Sequence, residues 1–253
     1  MVPAILTAAL LTAAPEFGFA FSNDTGDKLL APEPLTAPAE MKKVSCDGKV
    51  LGVKFVSHQP AGPKDTGRQT ARNFSQVRGA IFKVIGGRVP VDTQCLLGTD
   101  AAFASRKVLP VTAIDSAKCD DKSAAMAAKI GKRKVANCSS TGTFPGGKLT
   151  FVTFVRKGPS ALVGVVLEPD RGAAAMRGFP AEVDEDAPSC WRVDDGCQFD
   201  ERGYQVKFAM TGPAGWELFA LWSGAESENA ELLRVNGTAL TEALSGSRYW
   251  SPE

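Results

Sequence analysis

The chain has 253 residues, with 29 basic and 28 acidic side chains and a net charge of +1. That balance excludes a protein held to polyanions or membranes by its bulk charge. A hydrophobic content of 44% suits a chain that buries a core, and the length allows one large domain or two small ones.

The run from Val2 to Ala14 is apolar and uncharged. It has the length of a signal-peptide core and is too short to cross a bilayer. Small residues suited to cleavage stand at Thr12/Ala14 and at Gly18/Ala20. Residues 1–20 are therefore expected to direct export, leaving a secreted or periplasmic protein. No later stretch reaches the roughly 18 apolar residues of a membrane helix, so no membrane insertion is expected.

Residues 21–42, broken by Pro32, Pro34 and Pro38, read as a linker ahead of a β-rich domain over 43–177. Lys49 to Val56 is β-branched and apolar enough for a strand. His58 to Arg72, rich in Pro and Gly, reads as a surface loop. Gly79 to Val91 predicts a hairpin turning at Gly86-Gly87, and Lys107 to Ile114 predicts a further strand. A helix is predicted near 120–131: Asp120-Asp121 open it, an Ala-rich core follows, and Gly131 closes it. Lys148 to Val155 and Ala161 to Leu167 read as an antiparallel hairpin, the second strand covered on both faces. Residues 178–189 are acidic and carry Pro180 and Pro188, which suggests a second linker. Every Trp and Tyr follows it, so 190–251 reads as a small β-rich unit. One continuous sandwich is the competing reading. The expected fold class is mainly β with minor α (α+β): an antiparallel sheet or sandwich with one clear helix, stapled by disulfides.

Val44-Ser45-Cys46-Asp47-Gly48-Lys49-Val50-Leu51-Gly52-Val53-Lys54-Phe55 resembles the opening strand of small periplasmic lysozyme-inhibitor domains. The resemblance covers that stretch alone and carries no site residue across.

In an exported chain the six cysteines are expected to pair. Neighbours in the sequence favour Cys46 with Cys95, Cys119 with Cys138, and Cys190 with Cys197, the last clipping a turn at Asp195-Gly196. Spacings for a zinc site are missing, so neither metal nor cofactor is expected. Four sequons, at Asn23, Asn73, Asn137 and Asn236, are glycan acceptors if the chain passes through an ER. The single His58 leaves little room for triad chemistry, and no catalytic residue is assigned.

Two functions fit. One is a non-catalytic binding protein for a protein or glycan ligand, with no nucleic-acid partner. The late aromatic residues motivate it, and Trp191 and Trp250 are its candidate surface contacts. Trp216 and Trp222 share a strand face and are expected to fill core. The other is a hydrolase using paired carboxylates from Asp184, Glu185, Asp194, Asp195, Asp200 and Glu201.

Overall fold

The computed structural model describes residues 16–250 apart from positions 33, 184, 185, 187, 188, 193, 194 and 214, and the side chain of 116. Two β structures lie in succession along it. The first is a closed six-stranded barrel of β1 (Phe17–Ser22), β2 (Lys28–Ala31), β3 (Met41–Ser45), β4 (Val50–Gln59), β5 (Gly79–Ile85) and β6 (Gln94–Thr99). Its order is β1-β2-β5-β4-β3-β6, and β1 closes onto β6 with Phe19 opposite Leu96. Side chains alternate in and out, so Leu29, Val44, Val53, Phe82, Val84 and Leu97 fill the lumen.

The second is a ten-stranded sheet of β7 (Lys107–Pro110), β8 (Thr112–Lys118), β9 (Val135–Phe144), β10 (Gly147–Phe154), β11 (Ser160–Pro169), β12 (Ala175–Glu182), β13 (Tyr204–Gly212), β14 (Gly215–Ser223), β15 (Ser227–Asn236) and β16 (Ala239–Tyr249). Its order is β7-β13-β14-β15-β16-β12-β11-β10-β9-β8. Only the β12–β16 contact, Met176 opposite Ala239, is parallel. The sheet curls back on itself. Leu109, Leu149, Leu167, Leu218, Leu233 and Leu240, from six different strands, meet in one buried cluster.

Each face of the sheet is covered where it is apolar. Phe208, Phe219, Leu221 and Leu232 point away from the curl and pack on Phe17 and Leu96 of the barrel. Full burial of a Phe contributes about 1.5–3 kcal/mol, so this shared cluster joins the two bodies firmly. Between them sits a short helix, α1 (Asp100–Ala104), capped by the Thr99 hydroxyl.

The long helix α2 (Asp121–Gly131) lies over the outer face of β10 and β11, with Ala127 against Val152, Phe154 and Val166. Asp120 caps it, its Oδ1 accepting the Ser123 amide at 2.7 Å. Gly131 is required by a close approach rather than by the cap: a Cβ there would stand 2.5 Å from the Phe154 ring. Lys132 takes the left-handed position that ends the helix, at φ 52°.

Several sequence expectations are corrected here. The segment read as a linker over 21–42 holds the end of β1, all of β2 and the start of β3, with Leu29, Leu30 and Ala31 buried. Its prolines lie between strands rather than in them, so they punctuate structure instead of preventing it. Residues 17–20 of the segment read as an export signal begin the barrel, while 1–15 lie outside the described residues. The Gly86-Gly87 turn closes no hairpin, because β5 pairs with β4 and β2. Residues 178–182 of the second linker belong to β12, and the sheet runs across it from β12 to β16. The strand read over 107–114 is two strands, split after Pro110. α1 is a second, five-residue helix that the sequence reading did not include.

Candidate functional site

The two ends of the curled sheet, β7 and β8, are consecutive in the chain and joined by Val111 alone. From Val111 the edges diverge. The β7–β13 ladder covers only Phe208 to Thr211, so Tyr204 to Lys207 lie beyond it. Opposite, the β8–β9 ladder breaks between Ala113 and Ala117. A groove of about 410 Å³ fills the gap. That volume lies within the roughly 300–1,000 Å³ typical of ligand sites.

The groove has an apolar floor and a charged rim. Leu149, Phe151, Val165 and Val206 line the floor, and Asp47, Glu201, Arg202 and Lys207 stand around it. Tyr204 also faces the groove, but its hydroxyl turns inward and donates to Glu231 Oε2 at 3.1 Å. Glu231 in turn receives Arg177 Nη2 at 3.0 Å. Burial, reinforced by the Glu231 charge, holds the Tyr204 phenol protonated well above its ordinary range. This phenol is a fixed wall and not a proton donor to a ligand.

Above the floor the chain from Cys190 to Gly203 closes one end of the curl. Phe199 stacks on Trp222 with centroids 5.2 Å apart and lies 4.9 Å from Phe179. The Cys190–Cys197 bridge clips the segment. Asp195 fastens it by accepting the amides of Cys190 and Cys197, both at 2.8 Å, and those of Trp191 and Arg192. Partial burial raises the Asp195 pKa, but these four N–H groups outweigh it and hold the carboxyl below the usual range. Asp195 therefore organises a turn. Cys190, Asp195 and Cys197 come within 4.8 Å of one another, yet the two sulfurs are bonded together and offer no thiolate.

The candidate aromatic contacts do not converge. Trp191 is half-buried, and its indole N–H donates to the Phe179 carbonyl at 3.1 Å. It lines a smaller pocket of about 210 Å³ with Phe154, Leu162 and Phe199. Trp250 is also half-buried, and its N–H donates to the Gly224 carbonyl at 3.1 Å. Neither indole is among the residues that line the groove. The pair read from the sequence thus stands at two separate places, each with its polar edge bonded to a backbone carbonyl.

Among the described carboxylates of the hydrolase reading, Asp195 and Asp200 are engaged in turns and Glu201 in a long-range bond. Asp200 accepts the Arg202 amide at 3.0 Å, and Glu201 accepts the Ser139 hydroxyl at 3.0 Å. Asp184, Glu185 and Asp194 lie outside the described residues. His58 is on β4 rather than in a loop, opposite Ala80, with its ring 5.1 Å from Phe55.

The disulfides are Cys46–Cys95, Cys119–Cys138 and Cys190–Cys197. The sequons divide. Asn73 is buried, and its amide nitrogen donates to Asp65 and to the Arg68 carbonyl. Asn23 is buried too, donating to Thr25 and Asp27 at 2.8 Å each. Both nitrogens are spent inside the fold, so neither site suits a glycan there. Asn137 and Asn236 are exposed.

Of the groove residues only Glu201 stood among the sequence candidates, and the rest were missed because their signal is indirect. Pro110 is the one local cue: proline cannot continue a paired strand, so a break was due there. No protein-family model, curated protein or solved structure matches the chain. Among the described residues no helix is long and apolar enough to cross a membrane.

Proposed function

We propose that the chain is a non-catalytic binding protein of an oxidising, extracytoplasmic compartment, and that its groove captures an extended peptide segment of a partner. Three disulfides support the compartment. The observation that carries the ligand is the pair of open strand edges flanking the groove, Tyr204 to Lys207 of β13 beyond its ladder with β7, and Ala113 and Ile114 of β8, the terminal strand. Open edges offer N–H and C=O groups to a guest strand, and this is how β-augmentation gains affinity. The floor of Leu149, Phe151 and Val165 then receives alternate side chains, so the preferred guest is apolar at every second position. In a product processed through an ER, glycans belong on Asn137 and Asn236, clear of the groove lining.

Panning a peptide library against the oxidised protein tests this. Binders are expected to alternate apolar and polar residues, and to lose affinity when a backbone amide is N-methylated. Val206→Lys should weaken them, with circular dichroism confirming a retained fold because Val206 also packs against the sheet core. Binders indifferent to N-methylation, or unaffected by Val206→Lys, would defeat the reading.

A further inference from the structure

The even charge of the whole chain hides a local segregation on the barrel. Lys28 of β2 lies directly opposite Lys83 of β5, and Lys83 lies directly opposite Lys54 of β4. The three form one row across adjacent strands, all exposed and pointing away from the lumen. Neighbouring strands are about 4.8 Å apart, so the row spans about 10 Å. Like charges placed directly opposite each other destabilise a sheet. Among the described residues no carboxylate forms an ion pair with Lys28, Lys54 or Lys83. Asp27, next to Lys28 in sequence, acts on it only through space, its carboxylate hydrogen-bonded by Asn23 and Thr25.

Exposed aliphatic residues flank the row on both sides. Val56 follows Lys54 by two residues and is 58% exposed, and Ile85 follows Lys83 by two and is 47% exposed. Because β4 and β5 are antiparallel, the two stand at opposite sides of the lysines. In the next row Ile85 faces Gly52, which faces Lys43, so the surface between them carries no bulky side chain. Lys43 adds a fourth cation at the margin, shared with Asp100 at 3.5 Å.

From this juxtaposition of a lysine row without ion pairs and protruding aliphatics on either side, we propose that this face of the barrel binds an anionic lipid bilayer surface. Charge complementarity draws the lysines to acidic headgroups, and Val56 and Ile85 reach into the headgroup boundary. A soluble polyanion would answer the lysines but leave the aliphatics unused, and no aromatic side chain stands in the row to stack a base or a sugar. Binding of this kind is peripheral. It is independent of the peptide groove, whose lining comes from the other β structure except for Asp47.

Co-sedimentation of the oxidised full chain with vesicles tests it. The protein should pellet with phosphatidylcholine vesicles containing phosphatidylglycerol and stay in solution with phosphatidylcholine alone. Lys54→Glu with Lys83→Glu should weaken binding by roughly tenfold or more, since each lysine near such a surface matters by several-fold. Val56→Ser with Ile85→Ser should weaken it with every lysine in place. Lys54→Gln with Lys83→Gln gives the same reading if the reversed pair misfolds. Val206→Lys should leave vesicle binding unchanged, which separates this proposal from the groove. Equal binding to neutral vesicles, or none to acidic ones, overturns it. So does retention on heparin that is lost with the lysines while vesicle binding ignores Val56 and Ile85.

Discussion

Glu228 and Arg248 are direct cross-strand partners on β15 and β16, with Arg248 Nε donating to Glu228 Oε2 at 2.9 Å and both side chains buried. The same guanidinium crosses to the barrel. It donates to Asp92 Oδ1 and to the Asp92 carbonyl, each at 2.8 Å. Gln94 of β6 adds a bond from its amide to the Glu228 carbonyl at 2.9 Å. One buried arginine thus fixes the far end of the sheet against the barrel.

Removing it should cost far more than a surface pair. Arg248→Ala leaves the Glu228 charge buried without its cation, and breaking such a pair destabilises by about 3–5 kcal/mol. Arg248→Lys keeps the charge but cannot serve Glu228 and Asp92 together, so its loss should be smaller. Urea unfolding at neutral pH measures both. An Arg248→Ala midpoint equal to the parent's would show that the two bodies are not coupled through this residue.

Asp120 sets a pH dependence. Its carboxylate accepts Lys148 Nζ at 2.7 Å and caps α2 through the Ser123 amide. The Lys148 bond, then the Ser123 bonds, hold its pKa far below the ordinary 3.8. A depressed native pKa gives stability that is present above the unfolded value and lost as pH falls through the native one. The parent's advantage over Asp120→Ala should therefore be full near neutrality. It should shrink only in acid, below about pH 4. Paired urea titrations at neutral and acidic pH check this. An advantage that disappears already at pH above 5 would contradict the assignment.

The disulfides should differ in weight. Their sequence separations are 49, 19 and 7 for Cys46–Cys95, Cys119–Cys138 and Cys190–Cys197. Loop-closure entropy then ranks them at about 4, about 3 and about 2 kcal/mol. Cys46 and Cys95 are also buried in the barrel lumen, so replacing them by Ser adds a packing penalty. Thermal unfolding of the three double Cys→Ser variants should give that order. If the Cys190/Cys197 variant falls furthest, the clipped segment over Phe179 and Trp222 supports the fold more than chain entropy implies.

What could be read from the sequence was local. Asp120, the Ala run and Gly131 declare α2 because caps and propensity act within a few residues. The Leu149–Leu167 hairpin declares itself through a turn and two apolar runs. The cysteine pairs followed from neighbouring turns and strands. What stayed hidden was long-range. Nothing near Phe17 says that it will lie opposite Gly98, or near Met176 that it will meet Ala239. The groove arises because the two ends of a curled sheet happen to be adjacent at Val111, and the lysine row exists only once β2, β5 and β4 are set side by side. Aromatic clustering after residue 190 signalled a packed cap and not a separate unit, since Trp191, Phe199 and Trp222 all serve the interior of the larger sheet.

The barrel limits where cleavage of an export signal, if the chain carries one, could fall. Cleavage after Ala20 would remove Phe17 to Ala20, which pair with Gly98 to Cys95 and close β1 onto β6. It would also remove Phe17 from its edge contact with Phe103, at 5.6 Å, and Glu16 from Arg106 and Arg234. Thr12/Ala14 is the other small-residue pair, and cleavage there spares all of these contacts. If the chain is exported with removal of a leader, the product is expected to begin at Pro15, and intact-mass measurement would read its N-terminus directly. A chain started at Phe21 should melt well below one started at Pro15, because two edges of the barrel are then left unpaired. If the natural product begins at Phe21 and melts no lower, β1 does not close the barrel, and its pairing with β6 is wrong.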